Sequence, residues 1–400
     1  MRSSIRNTRF LLAAWLAAAS MAFGGASFAQ SGAKVVKIGA VLPLSGVFAD
    51  SGKDVKRVYD MYQKEVNASG GIKSLGGAKV EFVYMDAQSK PEVSRAATER
   101  LALQKDVSAL IGPVYSPLAL TMAEVAEKYG IPMVIDAAIE NSLTEKGYKY
   151  VFRADARSKD FAEATSRYIV EKLKPKNVAF VFADAIAYQS VMTTVKEKLK
   201  AANIPVLFEE AYAVNTTNFG PIVQKLARFQ PEVVIGGGYD ADAILLAKTI
   251  AEQNVKLKAF VGQGGGFSTL TFLKAAGKAA EGIAASAAWG VDDKASPESP
   301  KFIKSFKAEY GEVPNQMNSA ASTAALLLFA AIEKAGSTDR NKIRDALTKV
   351  EVWTPQGKIS FDEKGQGQKD ARIIQVQNGE FVTVWPDALA TKKLIYPISK

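Results

Sequence analysis

Few residues in this chain are of a type and spacing that could do chemistry. Ser116 precedes Pro117, and Leu118, Met122, Val125 and Tyr129 follow at helical spacing up to Gly130. A serine cap with proline in the first turn opens a helix, whose unpaired N–H groups and dipole attract an anion. Ser116 can hold an anion, cap the helix, or do both. Its neighbour Tyr115 either lines a site or packs in a core. A second cluster is VVIGGGYDA at 233–241, a strand followed by G-x-G-x-x-A and a helix. That is the outline of a dinucleotide site. It stands deep in the chain, however, and Lys256-Leu257-Lys258 occupy the stretch where a ribose-binding acid is expected. An NAD-dependent enzyme is therefore the weakest reading. With no histidine and no cysteine, Ser-His-Asp triads, Cys-His pairs, disulfides and metal sites built on those residues are excluded. Neither a G-x-S-x-G elbow nor a Walker phosphate loop occurs. The expectation is a binding protein without cofactor or metal, not an enzyme.

The elements that must position these residues alternate. β-Branched runs at 35–42, 80–86, 109–112, 133–136 and 150–153 predict strands, and the pattern restarts at 178–182, 207–212, 233–236, 259–262 and 283–289. Helical patterns lie between them, including 52–67 and one opened by the capping box Ser89-x-x-Glu92 and running to about 105. Three further helices are predicted at 300–310, 319–335 and 341–350, then strands at 357–361, 372–376 and 381–385. Alternating strands and helices imply right-handed βαβ units on mostly parallel sheets. At 400 residues the chain exceeds one hydrophobic core, so the predicted fold class is α/β with two doubly wound, Rossmann-like lobes.

The first 29 residues read as a leader. Arg2, Arg6 and Arg9 precede an apolar run over 10–23, and Ser27-Phe28-Ala29 offers a small-residue cleavage site. The run is too short to span a bilayer, so an exported, soluble, periplasmic protein is expected. The formal net charge of +10 includes those three arginines. The other basic residues alternate with acidic ones, as in Lys196-Glu197-Lys198, which describes a solvated surface and no nucleic-acid partner.

Several short segments carry a family likeness in their order and spacing. They are IGAVLPLSG at 38–46, NASGGI at 67–72, Asp86-Ala87-Gln88, Ile111-Gly112-Pro113, Gly130-Ile131-Pro132, Phe152-Arg153 and FDEKG at 361–365. Over nearly the whole mature chain the sequence resembles the branched-chain amino-acid-binding (Leu/Ile/Val-binding) family of periplasmic ABC-transporter solute-binding proteins. The resemblance implies the type I periplasmic-binding fold with a three-segment hinge. One lobe would comprise 33–153 and 291–363, the other 154–290 and 364–400. It implies a small organic ligand in the cleft, hinge closure around it, an ABC-type permease as partner, and a monomer. A sensor that hands its closed form to a membrane receptor is the alternative.

The resemblance also assigns roles. Ser116 matches a serine that helps hold the ligand carboxylate. Ala137, Ala138 and Ile139 match a loop that offers backbone groups and a threonine hydroxyl; here Ile139 replaces the threonine. Tyr188 and Tyr239 match aromatic residues of the cleft, and Phe48 follows the first strand. The family's amino-acid binders carry a glutamate near Gly264 that pairs with the ligand ammonium, whereas here Gln263 and three glycines occupy 263–266 and no carboxylate lies between 259 and 280. Asp240 or Asp242 would have to substitute. An unpaired ammonium in a closed cleft is costly. The expected ligand is therefore a carboxylate lacking an α-amino group, with an aromatic acid suiting the room left by the glycines.

Overall fold

The computed structural model describes residues 35–214, 216–263, 265–292, 294 and 296–398. The expected leader at 1–29 and Gly264 lie outside the described residues. In the first half, β1 (Val35–Leu42), α1 (Ala49–Ala68), β2 (Lys79–Asp86), α2 (Pro91–Leu103), β3 (Val107–Ile111), α3 (Ser116–Tyr129), β4 (Met133–Ile135), the short α4 (Ser142–Glu145) and β5 (Val151–Arg153) alternate. Their strands form a parallel sheet in the order β2-β1-β3-β4-β5.

The pattern repeats with α5 (Ser158–Tyr168), β6 (Val178–Ala183), α6 (Ile186–Ala201), β7 (Val206–Tyr212), α7 (Gly220–Phe229), β8 (Val233–Gly237), α8 (Asp240–Glu252), β9 (Ala259–Gln263), α9 (Leu270–Ala276) and β10 (Ala284–Ala287). Next come α10 (Glu298–Tyr310), α11 (Gln316–Ala335) and α12 (Arg340–Leu347), which pack on α1 and β3 of the first sheet. A hairpin of β11 (Glu351–Thr354) and β12 (Gly357–Ser360) follows. Finally β13 (Arg372–Gln377) and β14 (Glu380–Trp385) add antiparallel to β10, giving a second, mixed sheet in the order β14-β13-β10-β9-β8-β6-β7. The result is a two-lobe α/β fold. The runs VSALI, VAFVFA and VVIGG are buried along their whole length, as expected of parallel strands with helices over both faces.

Two local expectations change. Ser89 does not cap α2. Its φ of 57° is left-handed, and its hydroxyl donates to Ser45 O at 2.7 Å while accepting from Phe48 N at 3.0 Å. It fastens the loop after β1 instead. Ser116 is the first residue of α3, not its cap. Its side-chain oxygen accepts from Glu140 N at 3.2 Å, which ties α3 to the loop after β4.

The sheet orders locate a site. Strand order reverses between β1 and β3 in the first sheet and between β6 and β8 in the second. At such switch points the loops leaving the C-terminal strand ends diverge and open a crevice. The loops and helix starts that leave these strands carry Phe48, Tyr115, Tyr188 and Tyr239. The chain segments that pass between the sheets are fastened by Arg153, which is fully buried. It bonds Gln366 Oε1 at 2.7 Å, Glu140 O at 2.6 Å and Thr144 Oγ1 at 2.8 Å, and its backbone bridges to Gln366.

Candidate functional site

A cavity lies between the two sheets' strand ends. From the first-sheet side it is lined by Val114, Tyr115, Ser116, Ala137, Ile139, Gln316 and Met317. From the second-sheet side come Phe161, Ala187, Tyr188, Tyr239 and Gly265, and Asp155 lies in the connection between the sheets. Its volume is about 40 Å³, room for a few waters; a cavity that holds benzene measures roughly 150 Å³. An organic guest therefore requires these walls to part.

Each wall is set by a specific contact. Asp136 is fully buried. Its carboxylate accepts from Val114 N at 2.8 Å, from Ala137 N and from Tyr59 Oη at 2.7 Å. Asp136 thus fixes both first-sheet loops of the site, the one carrying Tyr115 and Ser116 and the one carrying Ala137 and Ile139. Burial pushes its carboxyl above the ordinary range, opposed by those hydrogen bonds. On the other side the Tyr188 hydroxyl donates to Gly238 O at 2.6 Å. Gly265 passes beside that hydroxyl with φ 47°, where a Cβ would overlap Tyr188 Oη. The glycines of the G-x-G-x-x-A motif serve packing: Gly238 lies under the Tyr212 hydroxyl, which donates to Gly237 O at 2.9 Å. Acidic Asp240 and Asp242 occupy the first turn of α8, a turn that must be free of negative charge to receive a phosphate.

Six of the ten residues singled out in the sequence line the cavity: Tyr115, Ser116, Ala137, Ile139, Tyr188 and Tyr239. Ala137 brings no free backbone donor, because its N–H is held by Asp136. The hydroxyl of Ser116 accepts from Glu140 N and keeps its own proton to donate. The other four lie elsewhere. Ala138 is buried behind the loop, its carbonyl 3.4 Å from Arg153 Nη1. Phe48 packs at the rim, its ring 4.3 Å from Tyr115 and 4.7 Å from Tyr239. Gln263 ends β9 against α5, accepting from Thr165 Oγ1 at 3.0 Å, and its Nε2 is buried without a partner among the described residues.

Asp240 faces the first lobe's side. It accepts from Ser51 Oγ at 2.7 Å, from Tyr115 Oη at 3.0 Å and from Thr269 Oγ1. It is a bridge between the two sheet systems, not a cavity wall, because three hydroxyls surround its oxygens. Burial raises its carboxyl above the usual range, and the hydroxyls oppose that. Two further bonds cross nearby: Asn141 Nδ2 to Ser190 Oγ at 3.0 Å, and Lys274 Nζ to Glu312 Oε1 at 2.6 Å, where Arg57 also pairs with Glu312 at 3.1 Å.

The sequence reading missed Asp155, Phe161, Gln316, Met317 and the organiser Asp136. The usable signal for Asp155 was its place two residues after Arg153, in the first connection between lobes. Asp155 is 1% exposed. It accepts from Ala156 N at 2.8 Å and from Gln316 Nε2 at 2.9 Å. Burial lifts its carboxyl to about 6, and the nearby Lys369 and Arg153 charges pull the other way.

A family model described as "Periplasmic binding protein" matches residues 35–380. "Leu/Ile/Val-binding protein homolog 7" of Brucella melitensis is 27% identical over 380 residues, covering 90% of this chain and 94% of that protein. The substrate-binding protein LivJ of Streptococcus pneumoniae, solved in complex with isoleucine, superposes with a TM-score of 0.82 at 24% identity, covering 88% of this chain and all of that one. A solute-binding protein from R. palustris, solved in complex with benzoate, gives a TM-score of 0.79 at 23% identity and covers 90% and 99%. At these identities the two structures show the shared fold.

Proposed function

Because the chain belongs to the periplasmic binding protein family, we propose that it is the exported ligand-binding component of an ABC-type importer, holding a small organic acid between its lobes. In this reading one lobe comprises 33–153 with 291–363 and the other 154–290 with 364–400, and the first 29 residues direct export and are removed. Binding proteins of this type take small ligands and work with ABC permeases; this chain performs no reaction on its guest.

The observation that carries the reading is the cavity's pairing of chemistries. Ser116, with a hydroxyl proton to give, stands in the first turn of α3, where the helix dipole favours an anion. Facing it are the aromatic rings of Tyr188, Tyr239 and Phe161. Such a wall suits a ring bearing a carboxylate. Ile139 in place of a hydroxyl, and the absence among the described residues of a lining carboxylate from the second-sheet side, favour an aromatic acid over a free α-amino acid. The solved relatives hold one of each kind, isoleucine and benzoate.

The small volume makes motion part of the function. To admit a ring, the contacts that cross between the lobes must open: Phe48 on Tyr239, Ser51 and Tyr115 on Asp240, and Asn141 on Ser190. Reforming them over the ligand yields the closed state a permease would read. A thermal-shift screen of residues 30–400 against aromatic carboxylates, aliphatic acids, amino acids and amides tests the reading. A ligand bound only by the folded state raises the melting temperature. Shifts with aromatic acids are expected; shifts with leucine-like amino acids alone would refute the ligand class.

A further inference from the structure

We propose that Asp155 selects the ligand by accepting a hydrogen bond from a second polar group on it, so that the preferred guests are small aromatic acids carrying, besides the carboxylate, a hydroxyl or amino donor on or beside the ring. The inference rests on the carboxylate reading above and refines its ligand class.

Among the residues that line the cavity, Asp155 is the one carboxylic acid. Its backbone is held: Gln366 Nε2 donates to the Asp155 main-chain O at 2.8 Å, and Arg153, two residues before it, is fastened on three sides. Ala156 N–H and Gln316 Nε2 fill one acceptor position on each oxygen. An ionised carboxylate offers about four such positions, so two remain.

The surrounding wall makes those positions matter. Val114, Ala137, Ile139, Phe161, Ala187 and Met317 present apolar groups. The Tyr188 hydroxyl is committed to Gly238 O, and the Ala137 N–H to Asp136. A bare ring pressed against Asp155 would strip water from a charged acceptor and return nothing, which is costly. A ligand hydroxyl or amino group in the same place supplies a charge-assisted bond. If Asp155 were only a brace, paired with Gln316 and attracted to Lys369, it would set stability and leave ligand choice untouched.

The test reads choice. Wild type and Asp155→Asn are titrated calorimetrically with benzoate, 3-hydroxybenzoate, 4-hydroxybenzoate, 4-aminobenzoate and 4-(aminomethyl)benzoate; the last two separate a neutral donor from an ammonium. In wild type, at least one donor-bearing acid binds roughly tenfold or more tighter than benzoate, the size of one hydrogen bond to a charged group. In Asp155→Asn that ratio falls to about threefold or less. Benzoate matching every donor-bearing acid in wild type, or a ratio that survives the substitution, overturns the inference while leaving the carboxylate reading standing. If no acid binds wild type, the carboxylate reading itself falls and the inference with it. Should Asp155→Asn not fold, Asp155→Ser and the wild-type ratio decide.

Discussion

Replacing Asp136 is the sharpest test of how the site is built. Its carboxylate is fully buried and accepts three hydrogen bonds, from Val114 N, Ala137 N and Tyr59 Oη. Asp136→Ala leaves all three donors buried without an acceptor. At about 1.5 kcal/mol for each orphaned donor, the loss is about 4–5 kcal/mol, a large part of the 5–15 kcal/mol that holds a typical domain together. Asp136→Asn differs in kind. Its carbonyl oxygen can serve the two backbone N–H groups, and its amide can donate to the Tyr59 oxygen. Burial already disfavours the charged form at this position, so the neutral amide costs only about 1–2 kcal/mol. Urea unfolding at neutral pH, followed by circular dichroism, measures both. Because Asp136 sets the loops carrying Ser116 and Ile139, a folded Asp136→Asn protein should bind ligand at most about tenfold more weakly than wild type. An alanine variant within about 1 kcal/mol of wild type would refute the claim that this one side chain organises the two loops.

Other expected outcomes follow from the same geometry. Asp240→Ala removes the acceptor that joins Ser51 and Tyr115 to the second lobe's side. It should weaken ligand binding by roughly tenfold or more, read by calorimetry; unchanged affinity would mean these contacts do not form part of the closed, ligand-holding state. Gly265→Ala forces a side chain into a left-handed backbone and into Tyr188 Oη. It should cost about 1–3 kcal/mol and abolish measurable binding; a variant that melts and binds like wild type would contradict the packing described. Asp155 gives a pH signature. Its carboxyl is raised in the folded state by burial, so its contribution is fully present below the unfolded value of about 3.9 and is lost as pH rises through the folded value. The melting temperature of Asp155→Asn relative to wild type should therefore climb by a few degrees between about pH 4.5 and 7.5. A difference that stays flat with pH would sink that assignment. Lys274→Ala breaks an exposed ion pair with Glu312 and should change unfolding stability by less than about 1 kcal/mol; a larger loss would mark this contact as structural.

The sheets were legible in the sequence because parallel strands buried on both faces must be written as unbroken apolar runs; 178–182 and 233–236 could hardly be read otherwise. Tyr115 was legible as the neighbour of Ser116 at a helix start, and Tyr188 and Tyr239 through their match to cleft aromatics of the family. What escaped reading depends on contacts between residues far apart in the chain. Asp136 lies 77 positions from Tyr59, and no local pattern announces that pairing. Asp240 is offered by the sequence in place of the family's missing glutamate, yet Ser51, 189 positions away, claims it. Gln263 ends β9 and accepts from Thr165 of α5, 98 positions away, instead of lining the cavity. Asp155 carries no local signal as a ligand-facing acid: the sequence offers Asp240 and Asp242 in place of the missing glutamate, whereas the fold brings Asp155 to the cavity from the connection after β5. Ser89 and Ser116 were both read as helix caps from local pattern alone, and each instead spends its side chain on a neighbouring loop.

The central claim is that Ser116 and the start of α3 hold the carboxylate of an organic acid between the lobes. It is tested most directly by titrating the protein, residues 30–400, with 4-hydroxybenzoate and with 4-hydroxybenzamide. The two share ring, size and hydroxyl, and differ in whether the polar group is an anion. The acid should bind roughly a hundredfold tighter, and Ser116→Ala should narrow that gap. Equal binding of acid and amide would show that the site does not read a carboxylate.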